Sequence, residues 1–287
     1  MATKNGVDGY TLPRDKPESS RLDQQHHIIV KNTGFLLHDR IKSSLPDNAS
    51  IAEIATGTGI WLKEVASTAP SGWSFTGFDI SPGQFPSGNQ DGRCKFEQLN
   101  LLQPLPSRLE GAFDVIHIRY MVIALTGNDW NVVAQNARSM LKPGGWLQWH
   151  ESDFNDIGVM HNVPGASAVA QKALHRAYVD LHHPLGKCLP DAVNPGLLQT
   201  VMRNGYEEIH QDIIAIDRVA ETRADTVTVG NQALLWSTLA VAKRHPCLGY
   251  SEDRLKELHR QATEETKGGE IYITWKMFIV TARKPLQ

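Results

Sequence analysis

The sequence predicts an α/β fold, doubly wound around a mainly parallel sheet, and three observations carry that expectation. Apolar runs of strand length alternate with stretches of helical spacing from about residue 50 to residue 150. The first run, Ile51-Ala52-Glu53-Ile54, breaks into Thr56-Gly57-Thr58-Gly59 and resumes as a helix through Ile60, Trp61, Leu62, Val65 and Ala66. A second strand, Trp73 to Phe78, ends on Asp79, twenty residues past Gly59. Such near-continuous apolar runs suit parallel strands buried on both faces.

The remaining elements follow in order. Residues 1–17 are polar, with Pro13 and Pro17, and read as an extended arm. Ser19 or Ser20 could cap a helix running to about Ser43, with Leu22, His26, Ile29 and Ile41 at helical spacing and a break at Gly34. Residues 1–45 are thus expected to form an arm and lid helix, and 46–287 the main domain. Phe85 to Gly92 is a loop, Lys95–Leu99 a third strand and Phe113–Arg119 a fourth. A helix over Asp129–Leu141 stops at Lys142-Pro143-Gly144-Gly145, and Trp146–His150 is a fifth strand. Beyond Glu151 the rhythm changes. Helices are expected over 165–183, at Leu197–Asn204 and through 220–267, with strands at Glu207–Ile216 and Ile271–Ala282. The segments 152–192 and 219–270 are the natural helical cap over the crevice at the carboxyl ends of the parallel strands.

The glycine turn narrows the ligand. A glycine lets the backbone approach a ligand closely, and an acid at the tip of the next strand can accept two ribose hydroxyls. Dinucleotide sites use Gly-x-Gly-x-x-Gly with a pyrophosphate on the helix N-terminus. Here the third glycine would fall at Ile60 or Leu62, and Glu53 lies just before the turn. An acid there repels phosphate but suits an ammonium group or ordered water. A nucleoside carrying an amino-acid tail and no phosphate fits, which points to S-adenosylmethionine.

Composition excludes several classes. Twenty-nine basic residues nearly balance 31 acidic ones, giving a net charge of −2 and no basic stripe of a nucleic-acid binder. No apolar run is long enough to cross a bilayer, and the N-terminal residues lack the apolar core of a signal peptide. Cys94, Cys188 and Cys247 are odd in number and scattered, so neither a disulfide framework nor a zinc site is expected and a cytoplasmic location is. A soluble enzyme acting on a small molecule, without nucleic-acid or membrane partners, is the expectation that remains.

Several segments then resemble the class I S-adenosylmethionine-dependent methyltransferases, and within them the small-molecule enzymes of fungal secondary metabolism. They are Tyr10-Thr-Leu-Pro-Arg-Asp15, Glu18-Ser-Ser-Arg-Leu-Asp-Gln-Gln-His26, Glu53-Ile-Ala-Thr-Gly-Thr-Gly-Ile-Trp61, Phe113-Asp-Val-Ile-His-Ile-Arg119 and Leu141-Lys-Pro-Gly-Gly-Trp-Leu-Gln-Trp-His-Glu151. The chain is most similar in appearance to the gliotoxin-type thiomethyltransferases. The resemblance implies a Rossmann-like, seven-stranded sheet whose last strand is antiparallel. It implies that Glu53 and the turn Ala55, Thr56, Gly57 and Gly59 line the methionine and ribose, and that Asp79 holds the ribose hydroxyls. Ile80 and Leu101 would border the adenine and Asn100, where the family usually has Asp, would accept its amino group. Arg119 and Tyr120 would border the transferring methyl. Apart from the resemblance, Tyr10 and Gln25 are expected to close over the otherwise open crevice, the aromatic faces of Tyr10 and Trp149 to hold a flat substrate beside Tyr120, and Glu151, at the end of the fifth strand, to face the crevice. Ala55 replaces the commonest first glycine, which is tolerable only if its φ stays negative.

Methyl transfer from a sulfonium is an in-line displacement that needs alignment and exclusion of water, with no metal and no covalent intermediate. No catalytic residue is assigned. His26-His27 and His182-His183 read as solvated or capping histidines, because neighbours on a helix point apart and no nearby carboxylate completes a site. His117 reads as a core histidine. The absence of a base dyad favours an acceptor that is already nucleophilic, best a dithiol of the epipolythiodioxopiperazine kind. Oxygen or nitrogen acceptors, a ring-forming rearrangement that does not consume the cofactor, and a regulatory cofactor-binding protein remain as alternatives.

Overall fold

A computed structural model describes residues 10–87, 92–189 and 196–287. Nine strands and eight α-helices are seen among them. The strands are β1 Ser50–Ile54, β2 Ser74–Asp79, β3 Cys94–Gln98, β4 Phe113–Arg119, β5 Leu141–Ser152, β6 Gly158–His161, β7 Glu207–Ala215, β8 Ile271–Thr274 and β9 Lys276–Arg283. The helices are α1 Lys16–Thr33, α2 Asp39–Lys42, α3 Ile60–Thr68, α4 Asp129–Met140, α5 Val169–His182, α6 Gly196–Arg203, α7 Arg223–Arg244 and α8 Glu252–Thr266.

Seven strands form one sheet in the order β3-β2-β1-β4-β5-β9-β7. The first five are parallel, and β9 runs antiparallel to both β5 and β7. The expected fold class is therefore the observed one. The order reverses between β1 and β4, and in a doubly wound sheet that switch point opens a crevice at the strands' carboxyl ends. Ile54, Asp79 and Arg119 stand at or beside those ends.

Four boundaries differ from the sequence reading, each for a local reason. Helix α1 starts at Lys16, because Asp15 caps it by accepting the Glu18 N–H at 3.0 Å. Pro17 then sits in the first turn, where its missing N–H costs nothing. The helix ends at Gly34, which takes φ +86°, so the break expected inside a longer helix is its end. The segment Lys142–Gly145 is absorbed into β5, with Leu141 opposite Phe113 before a bulge. The last apolar run is two strands. Lys276–Arg283 joins the main sheet, while Ile271–Thr274 pairs with β6, an element the sequence reading omitted, in a separate ribbon.

That ribbon belongs to the cap. Leu174, Tyr178, Leu181, Leu234, Leu255 and Ile273 come together in a core separate from the one beneath the sheet. Helix α1 bridges the two bodies. Its Asn32 Nδ2 donates to Thr222 Oγ1 at 2.9 Å on the cap side, and its Asp23 Oδ1 accepts from Thr58 Oγ1 at 2.6 Å on the sheet side. Among the described residues no helix is long and apolar enough to cross a membrane. The expected loop at 85–92 and cap segment 152–192 partly lie outside the described residues, as do residues 1–9 of the arm.

Candidate active site

The turn after β1 takes three left-handed residues in five: Ala55 at φ +56°, Gly57 at +52° and Gly59 at +67°. Ala55 thus departs from the condition set for it. Tertiary bonds on either side hold the strained residue, with Thr56 N–H donating to Phe78 O at 3.0 Å and Thr56 Oγ1 to Glu53 Oε2 at 2.5 Å. Asp79 faces the turn from β2. Its Oδ2 accepts from Gly57 N at 3.0 Å and its Oδ1 from Ser81 N at 3.0 Å. Two backbone amides therefore hold the carboxylate in place at the tip of β2. Asn100 Oδ1 accepts from Leu102 N at 3.0 Å, which orients its amide beside the same cavity.

That cavity has a volume of about 730 Å³. Gln25, Glu53, Ala55, Thr56, Gly57 and Asp79 line it, as do Ile80, Asn100, Leu101, Arg119, Tyr10 and Tyr120. Three expected site residues do not. Gly59 lies behind the turn, where an added Cβ would meet the Phe96 ring at 2.4 Å, so its glycine serves chain reversal and close packing. Trp149 is wholly buried in the sheet core, stacked on Trp130 with ring centroids 5.9 Å apart. Glu151 is equally buried. It accepts from Met121 N at 2.7 Å, Val122 N at 3.3 Å and Trp149 Nε1 at 3.0 Å, and so holds the chain reversal after β4. Both side chains turn inward because β5 is covered on both faces.

The cap supplies walls that no motif announced. Phe154, Ile157, Tyr178, Leu234, Ser237 and Trp275 close the far end of the cavity. Tyr120, at φ +56°, meets this wall: its ring lies 5.3 Å from that of Phe154, and its hydroxyl accepts from Trp275 Nε1 at 3.3 Å. Behind Ser237 lies His182, buried and bonded, where a solvated or capping residue was expected. Its Nδ1 donates to Tyr178 O at 3.0 Å, which makes Nε2 the acceptor of the Ser237 hydroxyl at 2.6 Å, and Thr11 Oγ1 reaches Ser237 Oγ at 2.7 Å. Burial holds the His182 imidazolium down to about pKa 4. The signal in the sequence was faint: a histidine at the end of an apolar helix, with its partner 55 residues on.

Beneath the cofactor end runs a buried charge cluster. Burial raises the Glu53 carboxyl to about 7, against the pull of Arg119. His117, 3.4 Å from Glu53 and stacked on Trp61 at 3.7 Å, is held neutral by burial; it is the core histidine expected, but not a satisfied one, since both ring nitrogens lack hydrogen-bond partners among the described residues. Arg119 Nη1 donates to His26 Nδ1 at 3.2 Å, so His26 Nε2 carries its proton and bonds Glu64. A carboxylate does therefore stand beside His26, contrary to the sequence reading, because α1 packs on α3. Ligand-capable atoms of His26, His27 and Glu64 lie within 4.8 Å of one another, as do those of His38, His210 and Asp212. In the first cluster both ring nitrogens of His26 are already engaged, and the adjacent guanidinium opposes a cation.

Residues 52–147 match the model of the methyltransferase domain family. The chain is similar to fungal methyltransferases. Methyltransferase grgD of a Penicillium species is 37% identical over 152 residues, a match that spans 50% of this chain and 52% of that protein. The N-methyltransferase tcpN of Claviceps purpurea is 27% identical over 81% of this chain and 79% of its own. In fold, a chain of a methyltransferase–activator complex from Haloferax volcanii covers 98% of this chain and 100% of its own, with a TM-score of 0.53 and 12% identity.

S-adenosylmethionine is the cofactor, and the residues present fit it. Asp79 would hold the ribose through its carboxylate, and Ile80, Leu101 and Asn100 would form the adenine slot, all of them lining the cavity. Glu53 would face the amino-acid tail. When bound, the cofactor supplies an electrophilic methyl group on its sulfonium. The protein's part is to orient that methyl and keep water away from it.

Proposed function

We propose that this protein transfers the methyl group of S-adenosylmethionine to a small-molecule acceptor in fungal secondary metabolism. The observation that carries the reading is the continuity of the cavity, which runs from the Glu53–Asp79 end to the aromatic wall of Tyr120, Phe154 and Trp275. Cofactor and a flat, largely apolar acceptor can therefore share one water-poor space.

Within that reading the acceptor atom is a thiol sulfur, in a dithiol of the epipolythiodioxopiperazine kind. Among the described lining residues none is a histidine, and the two acids, Glu53 and Asp79, stand at the cofactor end. A thiol ionises near neutrality without a dedicated base. A nitrogen acceptor is the second reading, favoured by the likeness to the N-methyltransferase tcpN and by the Ser237–His182 pair, which could take a proton from an N–H or O–H acceptor. Incubation with methyl-labelled cofactor and a panel containing reduced gliotoxin, a diketopiperazine amide and a phenol separates them. Label on the thiol, with His182→Gln retaining most activity, supports the first. Label on nitrogen or oxygen, with a loss on His182→Gln of about 10²-fold or more, supports the second. Tight cofactor binding with no transfer to any of them would favour a regulatory protein. The reaction is expected in the cytoplasm.

A further inference from the structure

Helix α1 places a guanidinium in the cavity wall and leaves part of it unsatisfied. Arg21 lines the cavity and is 5% exposed. Its Nε donates to Glu18 Oε2 at 2.6 Å and its Nη2 to Glu18 Oε1 at 2.7 Å, a two-pronged grip on a carboxylate that is itself wholly buried. The third nitrogen, Nη1, is buried with no partner among the described residues. A buried charged donor left without an acceptor costs more than a neutral one, so chains rarely keep one without use. The grip on Glu18 also fixes the guanidinium plane, so Nη1 cannot swing away to find another acceptor. Tyr10 and Tyr120 line the same cavity as Arg21.

We propose that Arg21 Nη1 is a binding point for a ligand oxygen, a carboxylate or a carbonyl, inside the cavity. Glu18 already neutralises the guanidinium, so the site needs no full negative charge from its ligand; it needs an acceptor atom for two N–H groups. Two sources carry that chemistry under the methyltransferase reading, on which this inference rests: the methionine carboxylate of the cofactor, and an oxygen of the acceptor molecule. A lysine at position 21 would keep the ion pair with Glu18 but lose the planar fork, and a Gln–Gln pair would keep the shape without either charge.

Calorimetry on the full chain separates the sources. The wild type, Arg21→Lys and the double variant Glu18→Gln/Arg21→Gln are titrated with S-adenosylhomocysteine and with 5′-methylthioadenosine, which lacks the amino-acid tail. Each protein saturated with S-adenosylhomocysteine is then titrated with benzoate and with benzylamine. A loss of about tenfold or more for S-adenosylhomocysteine alone, with 5′-methylthioadenosine within about twofold, assigns Nη1 to the methionine carboxylate. Unchanged nucleosides with benzoate weakened and benzylamine unaffected assign it to the acceptor. Equal binding of all four ligands by wild type and variants overturns the proposal, and so does a uniform loss across all four. A wild-type chain that binds neither nucleoside overturns the methyltransferase reading, and this inference with it.

Discussion

Ala55 stands in a conformation that L-residues avoid, at φ +56°, on the exposed lip of the cavity. The strain is about 1–2 kcal/mol, and a glycine there would add about 0.5–1 kcal/mol of unfolded-state entropy. Ala55→Gly should therefore raise stability by about 0.5–1 kcal/mol, read as a higher urea midpoint at unchanged slope. A lower midpoint would mean that the Ala55 methyl packs on something worth more than the strain. Asp79 is the proposed ribose contact. Asp79→Ala should weaken S-adenosylhomocysteine by about 1.5–3 kcal/mol, from the loss of a charge-assisted hydrogen bond. Calorimetry of the variant, with its fold checked by circular dichroism, reads this directly, and unchanged affinity would place the ribose elsewhere. Gln25 and Glu53, assigned from the sequence, line the cavity; Trp149 and Glu151 do not. The difference is physical. The periodicity of β5 shows that its residues are buried, but a strand covered on both faces gives no sign of which buried side chain meets the ligand.

Helix α1 is the proposed lid element. It contributes Arg21, Leu22 and Gln25 to the cavity wall, and the arm before it contributes Tyr10, Leu12 and Arg14. Its tertiary hydrogen bonds include Thr58–Asp23, His26–Glu64, Arg119–His26, Asn32–Thr222 and Val219–Asn32, and the arm adds Thr11–Ser237, while Asp15 caps its first turn. Asp15→Ala should cost the helix about 1 kcal/mol. Combined with Thr11→Val, it should speed proteolytic cutting within residues 10–20, and saturating S-adenosylhomocysteine should slow that cutting in the wild type. Equal cutting rates with and without the ligand would count against a lid. The helix itself was legible from spacing. Its start was not, since Asp15, Ser19 and Ser20 are all capable caps and the choice falls to whichever oxygen reaches an unpaired N–H.

At the scale of the molecule, the sheet core and the cap core are separate, and the cavity lies where α1, the strand ends and α7 meet. The acid limb of stability reports on the charges buried there. His117 is held neutral, its pKa well below the model-peptide 6.5. The unfolded chain therefore binds a proton that the native state refuses, and this contribution is present above about pH 6.5 and is lost as pH falls. His117→Phe keeps a ring against Trp61 and removes the titration. It should narrow the gap in unfolding free energy between pH 7.5 and pH 5 by about 2 kcal/mol, at about 1.4 kcal/mol for each pH unit below 6.5. An unchanged gap would show that His117 takes up its proton in the native state as well. The raised Glu53 carboxyl acts in the opposite sense, losing its contribution as pH climbs from about 4.5 toward 7.

The sequence by itself determined the mainly parallel sheet, the glycine turn after its first strand and the acid that faces that turn. Local signals fix these: apolar runs of strand length, a turn of small residues, and an acid at the end of the next strand. The tertiary structure alone decided that the last apolar run divides at Trp275, that Ala55 accepts a left-handed backbone, and that Glu64 reaches His26. It also decided that Ser237 and His182 meet behind the cavity wall and that Arg21 lines the cavity with one nitrogen left without a partner among the described residues. Each of these depends on residues tens to hundreds of positions apart in the chain, brought together only when the cap closes on the strand ends, and no periodicity along the chain records such a meeting.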